Sequence, residues 1–345
     1  MKYHSHLASA RVADLCFGKQ VLVDVEARST VGSCLELLDS LKVLSVPVYG
    51  AAGAWVGAGG VDLAVGPKQY IGIVSVLDLV AHVFRASGYL GTHVDEARLA
   101  AALQDPVVQA LGESNESLSL WVEQSSSDGL WALELFSKGV HRAMVPPRHD
   151  GDETRLLTQT DAVRYIAAHR FSSVALHDLL GKSLVDLGIS AGGQDGRFGA
   201  KRQDVVAINE SAELIPAIFT LLREGVNAAA VVDGAGALVS TLSLSDLRGT
   251  VAPQLAAFHG LSVGAFLRRR HHLPDLPKPL TCKSIDYLGD VIEALLGCEV
   301  HRAWFVDSNG KPTNVVTFTD VIDIVYRSEL ALAQAPPTSL TDIAH

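Results

Sequence analysis

Four stretches of the chain repeat one pattern of apolar and polar positions. Each has a short apolar segment typical of a strand, a serine or threonine, two spacer residues, an aspartate, and a segment with the apolar periodicity of a helix. The aspartates lie 83, 85 and 74 residues apart. Recurrence at a nearly fixed interval indicates that the chain is built from four copies of one structural unit. The hydroxyl and aspartate pairs are Ser75 and Asp78, Thr158 and Asp161, Ser243 and Asp246, and Thr317 and Asp320.

The spacing places each aspartate in the first turn of a helix that follows a strand. One interpretation is a capping box, in which the hydroxyl caps the helix and the acid bonds back to the cap, with support from the helix dipole. The other is a ligand site, in which the carboxylate accepts two hydrogen bonds from a vicinal diol such as a ribose and the hydroxyl helps to position it. The two interpretations are compatible, and the residues around each copy distinguish them.

About twenty residues before each aspartate pattern, a second strand is predicted after a helix. Two of these four strands open with the same dipeptide, which is His141-Arg142 in the second copy and His301-Arg302 in the fourth. A single histidine or arginine at a strand start is usually a solvated edge residue. The same pair at one register in two copies instead favours contact with a phosphate, because the planar guanidinium matches phosphate oxygens.

Each unit is therefore predicted to contain a strand, a helix, two strands joined by a turn, and a second helix. Helices are expected over residues 30–41, 128–138 and 211–223, and Pro216 shifts the start of the third toward its carboxyl end. One unit alone leaves part of its small sheet uncovered, so we expect units to pair and share a core. The basic run that includes His271 and His272 is interpreted as a solvated connector.

Composition and charge narrow the class of protein. The 345 residues are 48% hydrophobic and 19% charged, which suits about two ordered domains. The net charge of −10 disfavours binding to nucleic acid. The chain has no apolar run of roughly 18 residues and no secretory signal at its start, so no membrane association is expected. We expect a soluble protein of the cytoplasm, with the nucleus as a second location.

The sequence holds no pattern typical of catalysis or metal binding. The glycine-rich insertion over residues 50–69 lacks the G-x-G-x-x-G spacing and is predicted to be a loop. A P-loop, a nucleophile elbow and a kinase signature are also missing from the sequence. We therefore expect neither an enzyme nor a metal protein, and no cofactor. The scattered cysteines, expected to be reduced thiols, are Cys16, Cys34, Cys282 and Cys298.

Taken together, the motifs resemble the CBS domain, and more closely the gamma subunit of AMP-activated and sucrose-non-fermenting-type protein kinases. The resemblance rests on the four Ser/Thr-x-x-Asp copies, on EVHRAWFVD from Glu299, on GVHRAMV from Gly139, and on FLRRRHHLPDLPKPLTC from Phe266. The WVGAGG insertion followed by KQYIGIVSVLDLVAHV is similar to the plant gamma-like members.

The resemblance implies an α/β fold of four CBS repeats, arranged as two Bateman modules in a pseudo-symmetric disc with ligand sites facing a central channel. The domain boundaries expected from it are a lead-in over 1–20, repeats over 21–90 and 105–170, a linker over 171–203, a repeat over 204–250, a connector over 251–280, a repeat over 281–330, and a flexible tail over 331–345.

The resemblance also implies a role for individual residues. Asp161 stands where animal members lack an aspartate, so a fourth usable site is expected, whereas Leu44 replaces an arginine of the animal channel. The ribose-binding positions are Asp78, Asp161, Asp246 and Asp320. The hydroxyl contacts are Ser75, Thr158, Ser243 and Thr317. The phosphate-binding positions are His141, Arg142, Arg164, His301 and Arg302.

The function expected from the resemblance is that of a regulatory, energy-sensing subunit without catalysis. Its ligands would be AMP, ADP or ATP, and its partners the catalytic and scaffold subunits of a kinase complex. The alternative is a CBS-domain scaffold protein whose clefts are vestigial or take another ligand. Ligand-dependent thermal stabilisation separates the two, because only a protein that binds in its native state shifts its midpoint with ligand concentration.

Overall fold

A computed structural model describes residues 9–16, 18–50, 63–65, 68–88, 95–117, 121–122, 127–147, 153–190 and 205–334. Most of the predicted glycine-rich loop, the central segment DGRFGAKRQD and the tail from Pro336 lie outside the described residues. Within them, the chain forms four small sheets, each flanked by helices. No described helix is both long enough and apolar enough to span a bilayer.

The first unit follows a short lead-in helix and forms a four-stranded sheet in the order β1-β2-β4-β3, with β1 parallel to β2 and the other pairs antiparallel. Its first helix begins next to the predicted start at Thr30, and the Thr30 hydroxyl caps it by accepting a hydrogen bond from Ser33 N at 3.1 Å. The elements are α1 Val12–Leu15, β1 Val25–Glu26, α2 Val31–Leu41, β2 Ser45–Gly50, β3 Leu63–Val65, β4 Lys68–Ser75, α3 Val76–Ala86, α4 Glu96–Ala102 and a 3-10 helix over Val107–Ala110.

The second unit repeats this order with shorter strands. Its sheet has the order β5-β6-β7, with β5 parallel to β6 and β6 antiparallel to β7. The elements are β5 Trp121–Val122, α5 Gly129–Ser137, β6 Arg142–Val145, β7 Arg155–Thr158 and α6 Gln159–Ala168. The segment predicted as a linker follows, and it contains α7 Val174–Leu180, whose leucines are buried against the second and fourth units.

The third unit departs from the predicted order at its end. The segment after Ser243 is a 3-10 turn that stops at Leu247, where an α-helix was predicted. Arg248 leaves the helical region with ψ 137°, and Gly249 follows with φ +78°, which only glycine adopts readily. The first helix of this unit begins at Leu214, later than the expected start at residue 211, as predicted from Pro216. The elements are β8 Ala207–Asn209, α8 Leu214–Glu224, β9 Ala228–Val232, β10 Leu238–Ser243, a 3-10 helix over Leu244–Leu247, α9 Ala252–Leu255, a 3-10 helix over Ala256–Phe258 and α10 Val263–His271.

Part of the connector predicted over 251–280 forms the capped helix α10, and the basic run at its end, from Arg269 to His272, is exposed as predicted. Ser262 caps the helix, and its apolar face, with Phe266 and Leu267, is buried in the core. The arginines occupy its last turn, where positive charge is favourable for the helix dipole.

The fourth unit pairs a hairpin with one isolated bridge in place of a regular first strand. Thr281 bridges Trp304 in a parallel sense, as the first strand does in the other units. The elements are α11 Leu288–Gly297, β11 Arg302–Val306, β12 Pro312–Thr317 and α12 Phe318–Gln334.

Two large apolar cores join the units across the sequence. One core combines buried residues of the first and third units, where the rings of Phe84 and Phe258 lie 6.2 Å apart. The other combines the second and fourth units with the lead-in helix, and here Gln159 Nε2 donates to Thr319 Oγ1 at 2.9 Å. The expected sharing of cores is confirmed, and it pairs alternate units of the sequence.

Smaller contacts join neighbouring units through their sheets. Tyr70 and Ile73 of the first unit pack on Met144 of the second. Trp304 Nε1 of the fourth unit donates to Thr241 Oγ1 of the third at 2.8 Å. Each unit therefore contacts two others, which brings residues of all four around one cavity.

Candidate functional site

All four hydroxyl and aspartate pairs adopt the capping geometry. In each pair one carboxylate oxygen, Oδ2, accepts a hydrogen bond from the backbone N–H of the serine or threonine at 2.7–2.8 Å. The capping interpretation is therefore confirmed in every copy, including the third, where the turn is a 3-10 helix. What differs between the copies is the surroundings of the carboxylate.

The carboxylate of Asp78 is enclosed by protein. Its Oδ2 accepts hydrogen bonds from Ser75 N and Ser75 Oγ, and its Oδ1 accepts one from Ser114 N at 2.8 Å. Asp78 has no exposed surface, and burial raises the pKa of its carboxyl despite these hydrogen bonds. Asp78 and Ser75 do not line the cavity, so the structure does not bring them to the other predicted ligand residues.

The aspartates of the second and third units each carry a basic partner. Lys19 Nζ, from the lead-in segment, lies 2.7 Å from Asp161 Oδ2. His271 Nε2, from α10, lies 2.9 Å from Asp246 Oδ1. His271 is exposed, as the interpretation of a solvated position expects, and its ring also pairs with one of the predicted ribose positions. Both aspartates line the cavity.

Asp320 differs from the other three aspartates because, among the described residues, it has neither a basic ion-pair partner nor a hydrogen bond to its Oδ1; the Oδ1 of Asp161 also lacks a hydrogen bond there, but Lys19 pairs with that carboxylate. Its Oδ2 accepts hydrogen bonds from Thr317 N and Thr317 Oγ1, both at 2.7 Å. Among the described residues, none forms a hydrogen bond or an ion pair with its Oδ1. Burial raises the pKa of this carboxyl, so the group gains from a hydrogen-bond donor or a positive charge at Oδ1.

The cavity between the four units has a volume of about 2040 Å³. Leu44, which stands where the resemblance implied a lost arginine, is one of its lining residues. The predicted ligand residues that line it are Thr158, Asp161, Ser243, Asp246, Thr317, Asp320, His141, Arg142, Arg164, His301 and Arg302. These are all the predicted ligand residues except those of the first unit.

The two His-Arg pairs lie at corresponding places in their units. The strands β6 and β11 begin at Arg142 and Arg302, so each histidine lies just before its strand. This position lets adjacent side chains reach the same side, which successive residues inside a strand do not do. Both pairs line the cavity.

The pair in the second unit is bound to a carboxylate. Glu116 Oε1 lies 2.5 Å from His141 Nδ1, and Glu116 Oε2 accepts a hydrogen bond from Arg142 Nη1 at 3.2 Å. Burial alone would raise the pKa of Glu116, but the hydrogen bond from His141 and the positive charges of His141 and Arg142 lower it to about 2. The glutamate is therefore ionised at neutral pH.

The pair in the fourth unit has only uncharged partners within the described part of the chain. Arg302 Nη1 donates to Ala228 O at 3.3 Å, and His301 Nε2 lies 3.3 Å from Thr160 Oγ1. Burial and the positive charges of Arg302 and Arg142 lower the pKa of His301 to about 4, so its ring is neutral at pH 7. Burial lowers the pKa of Arg302 to about 10, which still leaves the guanidinium charged.

Sequence reasoning missed several residues that shape the site. Lys19 and Glu116 have no local signal, because each meets its partner only through the tertiary fold. The basic run of α10 was a signal for His271, but it was interpreted as a connector. Arg248 also lines the cavity, and its Nε is buried without a hydrogen-bond partner among the described residues.

The chemistry of the cavity suits an organic anion better than a metal ion. Across the described residues, no group of three or more histidine, cysteine, aspartate or glutamate side chains is placed to hold a metal. The described cysteines form no disulfide, and three of the four are buried. Arginine, histidine and carboxylate side chains that converge on one cavity provide both phosphate donors and hydroxyl acceptors.

Comparison with known proteins gives relatives over nearly the whole chain. SNF1-related protein kinase regulatory subunit gamma-like PV42b of Arabidopsis thaliana is 29% identical over 97% of this chain and 99% of its own length. PV42a of the same plant is 26% identical over 92% and 95%. The 5'-AMP-activated protein kinase subunit gamma-3 of Bos taurus is 24% identical over 76% of this chain and 50% of its own length. No family model matches the chain.

A solved structure supports the fold. A protein of Methanocaldococcus jannaschii, proposed to be an archaeal homologue of g-AMPK, superposes with a TM-score of 0.61 over 91% of this chain and 99% of its own length, at 17% identity. At that identity the likeness shows the fold alone. The relatives confirm the resemblance that the motifs indicated. The chain resembles CBS-domain proteins and, more closely, the gamma subunit of AMP-activated and sucrose-non-fermenting-type protein kinases, the plant gamma-like members in particular.

Proposed function

We propose that the chain is a regulatory subunit of a protein kinase complex, which binds adenine nucleotides and catalyses no reaction of its own. AMP, ADP and ATP are the ligands in this proposal, and kinase catalytic and scaffold subunits are the partners. The four units act as CBS repeats, arranged as two Bateman modules in a pseudo-symmetric disc around the shared cavity. The names of the plant relatives, which are regulatory gamma-like subunits of a kinase, support this role.

The arrangement around Asp320 is the observation that carries the proposal. One side of the cavity presents a carboxylate whose Oδ1 has no partner among the described residues, together with a charged Arg302 and a neutral His301. A nucleotide has the complementary groups, because the ribose diol donates hydrogen bonds to a carboxylate and the phosphate accepts them from a guanidinium. Arg248 adds a second guanidinium, whose Nε lacks a hydrogen-bond partner in the described chain.

The scaffold alternative is favoured by a different observation. Asp78, Asp161 and Asp246 each have a protein partner besides their own cap. Ser114 N and His271 bind the Oδ1 atoms of Asp78 and Asp246, and Lys19 pairs with Oδ2 of Asp161. A protein whose clefts had become vestigial would keep such pairs as structural contacts. The two proposals therefore differ in what they expect of the Asp320 site.

Calorimetry on the purified chain with adenosine, AMP, ADP and ATP tests the proposal. We expect binding without release of inorganic phosphate, together with a rise in the unfolding midpoint that grows with ligand concentration. The absence of both heat and stabilisation at millimolar nucleotide would reject nucleotide binding and favour the scaffold. Release of phosphate by the pure protein would contradict the expectation that the chain is not an enzyme.

Arg302→Gln provides the matched variant for the same experiment. It should weaken AMP, ADP and ATP together and leave adenosine nearly unchanged, because the guanidinium meets phosphate and not base or ribose. The loss of a charge-assisted hydrogen bond corresponds to a factor of about ten to a hundred in affinity. Adding His141→Ala should weaken binding further but less than additively, since both groups face one ligand charge. Equal losses for adenosine and AMP would show that Arg302 holds the fold or the base.

A further inference from the structure

The segment over residues 111–117 is fixed against the first unit by its backbone. Ser117 O accepts a hydrogen bond from Ile73 N at 3.0 Å, and Gly112 N donates to Ser117 Oγ at 2.6 Å. The contact with β4 is so close that a Cβ added to Gly72 would lie 2.7 Å from Ser117 O. The segment is therefore held by strand β4 and by Asp78 of the first unit, whose Oδ1 accepts a hydrogen bond from Ser114 N at 2.8 Å.

The segment carries one carboxylate to the phosphate-type residues of the second unit. Glu116 Oε1 lies 2.5 Å from both His141 Nδ1 and Asn227 Nδ2, and Glu116 Oε2 lies 3.2 Å from Arg142 Nη1. A carboxylate and a phosphate compete for the same donors, because each presents anionic oxygens to a guanidinium and an imidazole. Glu116 is not itself a lining residue, so it meets the pair from the side of the first unit while both partners line the cavity.

The equivalent pair in the fourth unit shows what Glu116 changes. His301 and Arg302 have the same place relative to their strand, yet no described carboxylate forms an ion pair with either of them. One His-Arg pair of the cavity is therefore bound to a carboxylate in advance, whereas Arg302 feels the charges of Asp246, Asp320 and Glu116 only from a distance and keeps its donors for a ligand. The difference lies in one glutamate, 26 residues before Arg142 in the sequence, that has no counterpart in contact with the fourth unit's pair among the described residues.

We infer that Glu116 is a specificity-determining residue of the nucleotide site, whose carboxylate makes the cavity favour ligands with few phosphates. The inference rests on the proposed nucleotide binding. A monophosphate is held mainly by Arg302 and His301, with a smaller contribution from His141. The outer phosphates of a triphosphate extend toward the second pair, where Glu116 both occupies the donors and repels the added negative charge. The selectivity should therefore depend on the number of phosphates.

Glu116→Gln tests this inference, because the amide keeps the shape and one acceptor oxygen but removes the charge. We expect ATP affinity to rise about tenfold, ADP affinity to rise less, and AMP affinity to change by at most about threefold, where tenfold corresponds to about 1.4 kcal/mol. Adenosine affinity should not change. Inorganic tripolyphosphate serves as a probe without base or ribose, and its affinity should rise as that of ATP does.

Two further variants control for charge and for folding. Glu113→Gln removes the same charge from the same segment, but Glu113 pairs with Arg85 and lies outside the cavity lining, so the ratio of ATP to AMP affinity should stay that of the native chain. Glu116→Asp keeps the charge and should retain the native preference. All variants are compared by thermal unfolding without ligand, so that a loss of folding is recognised directly.

The outcomes separate this inference from the proposed function. An unchanged ratio of ATP to AMP affinity in folded Glu116→Gln would overturn the inference and leave nucleotide binding intact. Weaker binding of every phosphate ligand in that variant would also overturn it, by showing that Glu116 positions His141 and Arg142 for the ligand. No binding in the native chain or in any variant would reject the proposed function, and the inference with it.

Discussion

Asp78 and Asp320 occupy the same position in two copies of one motif, yet their carboxylates have opposite surroundings. Both cap the start of a helix through Oδ2. The Oδ1 of Asp78 accepts a hydrogen bond from Ser114 N, and the residue has no exposed surface. The Oδ1 of Asp320 faces a cavity with no hydrogen-bond partner among the described residues.

The hydroxyl-x-x-Asp motif therefore specifies the start of a helix. Whether its carboxylate can also bind a ligand depends on the tertiary contacts around it. One oxygen is used locally in every copy. In the first unit, the segment over residues 111–117 binds the second carboxylate oxygen and closes the site. In the fourth unit, the second oxygen is left for a ligand beside Arg302. A motif repeated four times therefore does not predict four equivalent sites.

Replacing Asp78 by alanine should have the largest effect, and that effect should be on stability. The change leaves Ser75 N and Ser114 N buried without their acceptor, and each lost partner costs about 1–3 kcal/mol. We expect the free energy of unfolding to fall by about 3 kcal/mol, measured by urea denaturation. The affinity of the folded variant for adenosine should not change.

Asp78→Asn is the matched control, because its amide retains one acceptor oxygen for the helix start. It should lose less stability than the alanine variant. If Asp78→Ala instead remained as stable as the native chain and lost nucleotide affinity, this carboxylate would not be enclosed by protein as described.

Asp320→Ala should give the reverse result. The change removes the proposed ribose acceptor, which corresponds to about 1.5–3 kcal/mol, or roughly ten- to a hundredfold in affinity for adenosine and for AMP alike. The loss of a cap lowers the free energy of unfolding by only about 1 kcal/mol. Calorimetry and thermal unfolding of the same preparation measure both. Normal binding with a much lower melting temperature would show that the residue is only a helix cap.

Much of the fold could be predicted from the sequence because the repeated unit follows local rules. Thr30 caps its helix as its type and position indicate, and Pro216 delays the start of its helix for a steric reason. The α-helix predicted after Ser243 in the third copy does not form, because the chain turns away at Gly249. The presence of one glycine in the sequence does not by itself indicate that a helix ends there. The partners Lys19, Glu116 and His271 could not be predicted, since each comes from a segment far from the motif that it meets.

A decrease in pH should lower the free energy of unfolding, because His301 of the fourth unit binds a proton less readily in the folded chain than in the unfolded chain. Burial, then the positive charges nearby, lower the pKa of its ring from an ordinary 6.5 to about 4. Between those values the unfolded chain binds a proton at this residue and the folded chain does not. Stability should therefore fall as the pH decreases from 6.5 toward 4, and His301→Gln should reduce that fall. Urea denaturation at several pH values measures it.

His177→Gln is the matched control, because His177 is an exposed histidine of α7 outside the cavity. That variant should keep the pH dependence of the native chain. AMP should weaken the effect of acid at His301, since a bound phosphate offsets the charges of Arg302 and Arg142. An identical pH profile for the native chain and His301→Gln would contradict the placement of this ring beside the positive charges of Arg302 and Arg142.

Lys19→Met should have the smallest effect on stability and tests an intermediate case between Asp78 and Asp320. Asp161 lines the cavity as Asp320 does, but Lys19 Nζ lies 2.7 Å from its Oδ2. The ion pair is partly exposed, and such pairs contribute about 0.2–1 kcal/mol, so the free energy of unfolding should change little. Removing the ammonium leaves the carboxylate available to a diol beside Arg164, and calorimetry should then detect a further nucleotide per chain or tighter binding.

Lys138→Met, which breaks an exposed ion pair with Glu134 outside the cavity, should leave both the free energy of unfolding and the nucleotide binding as they are. Weaker binding in Lys19→Met would mean that Lys19 contacts the ligand itself, and the second site would then resemble the open site of Asp320 and not the enclosed site of Asp78.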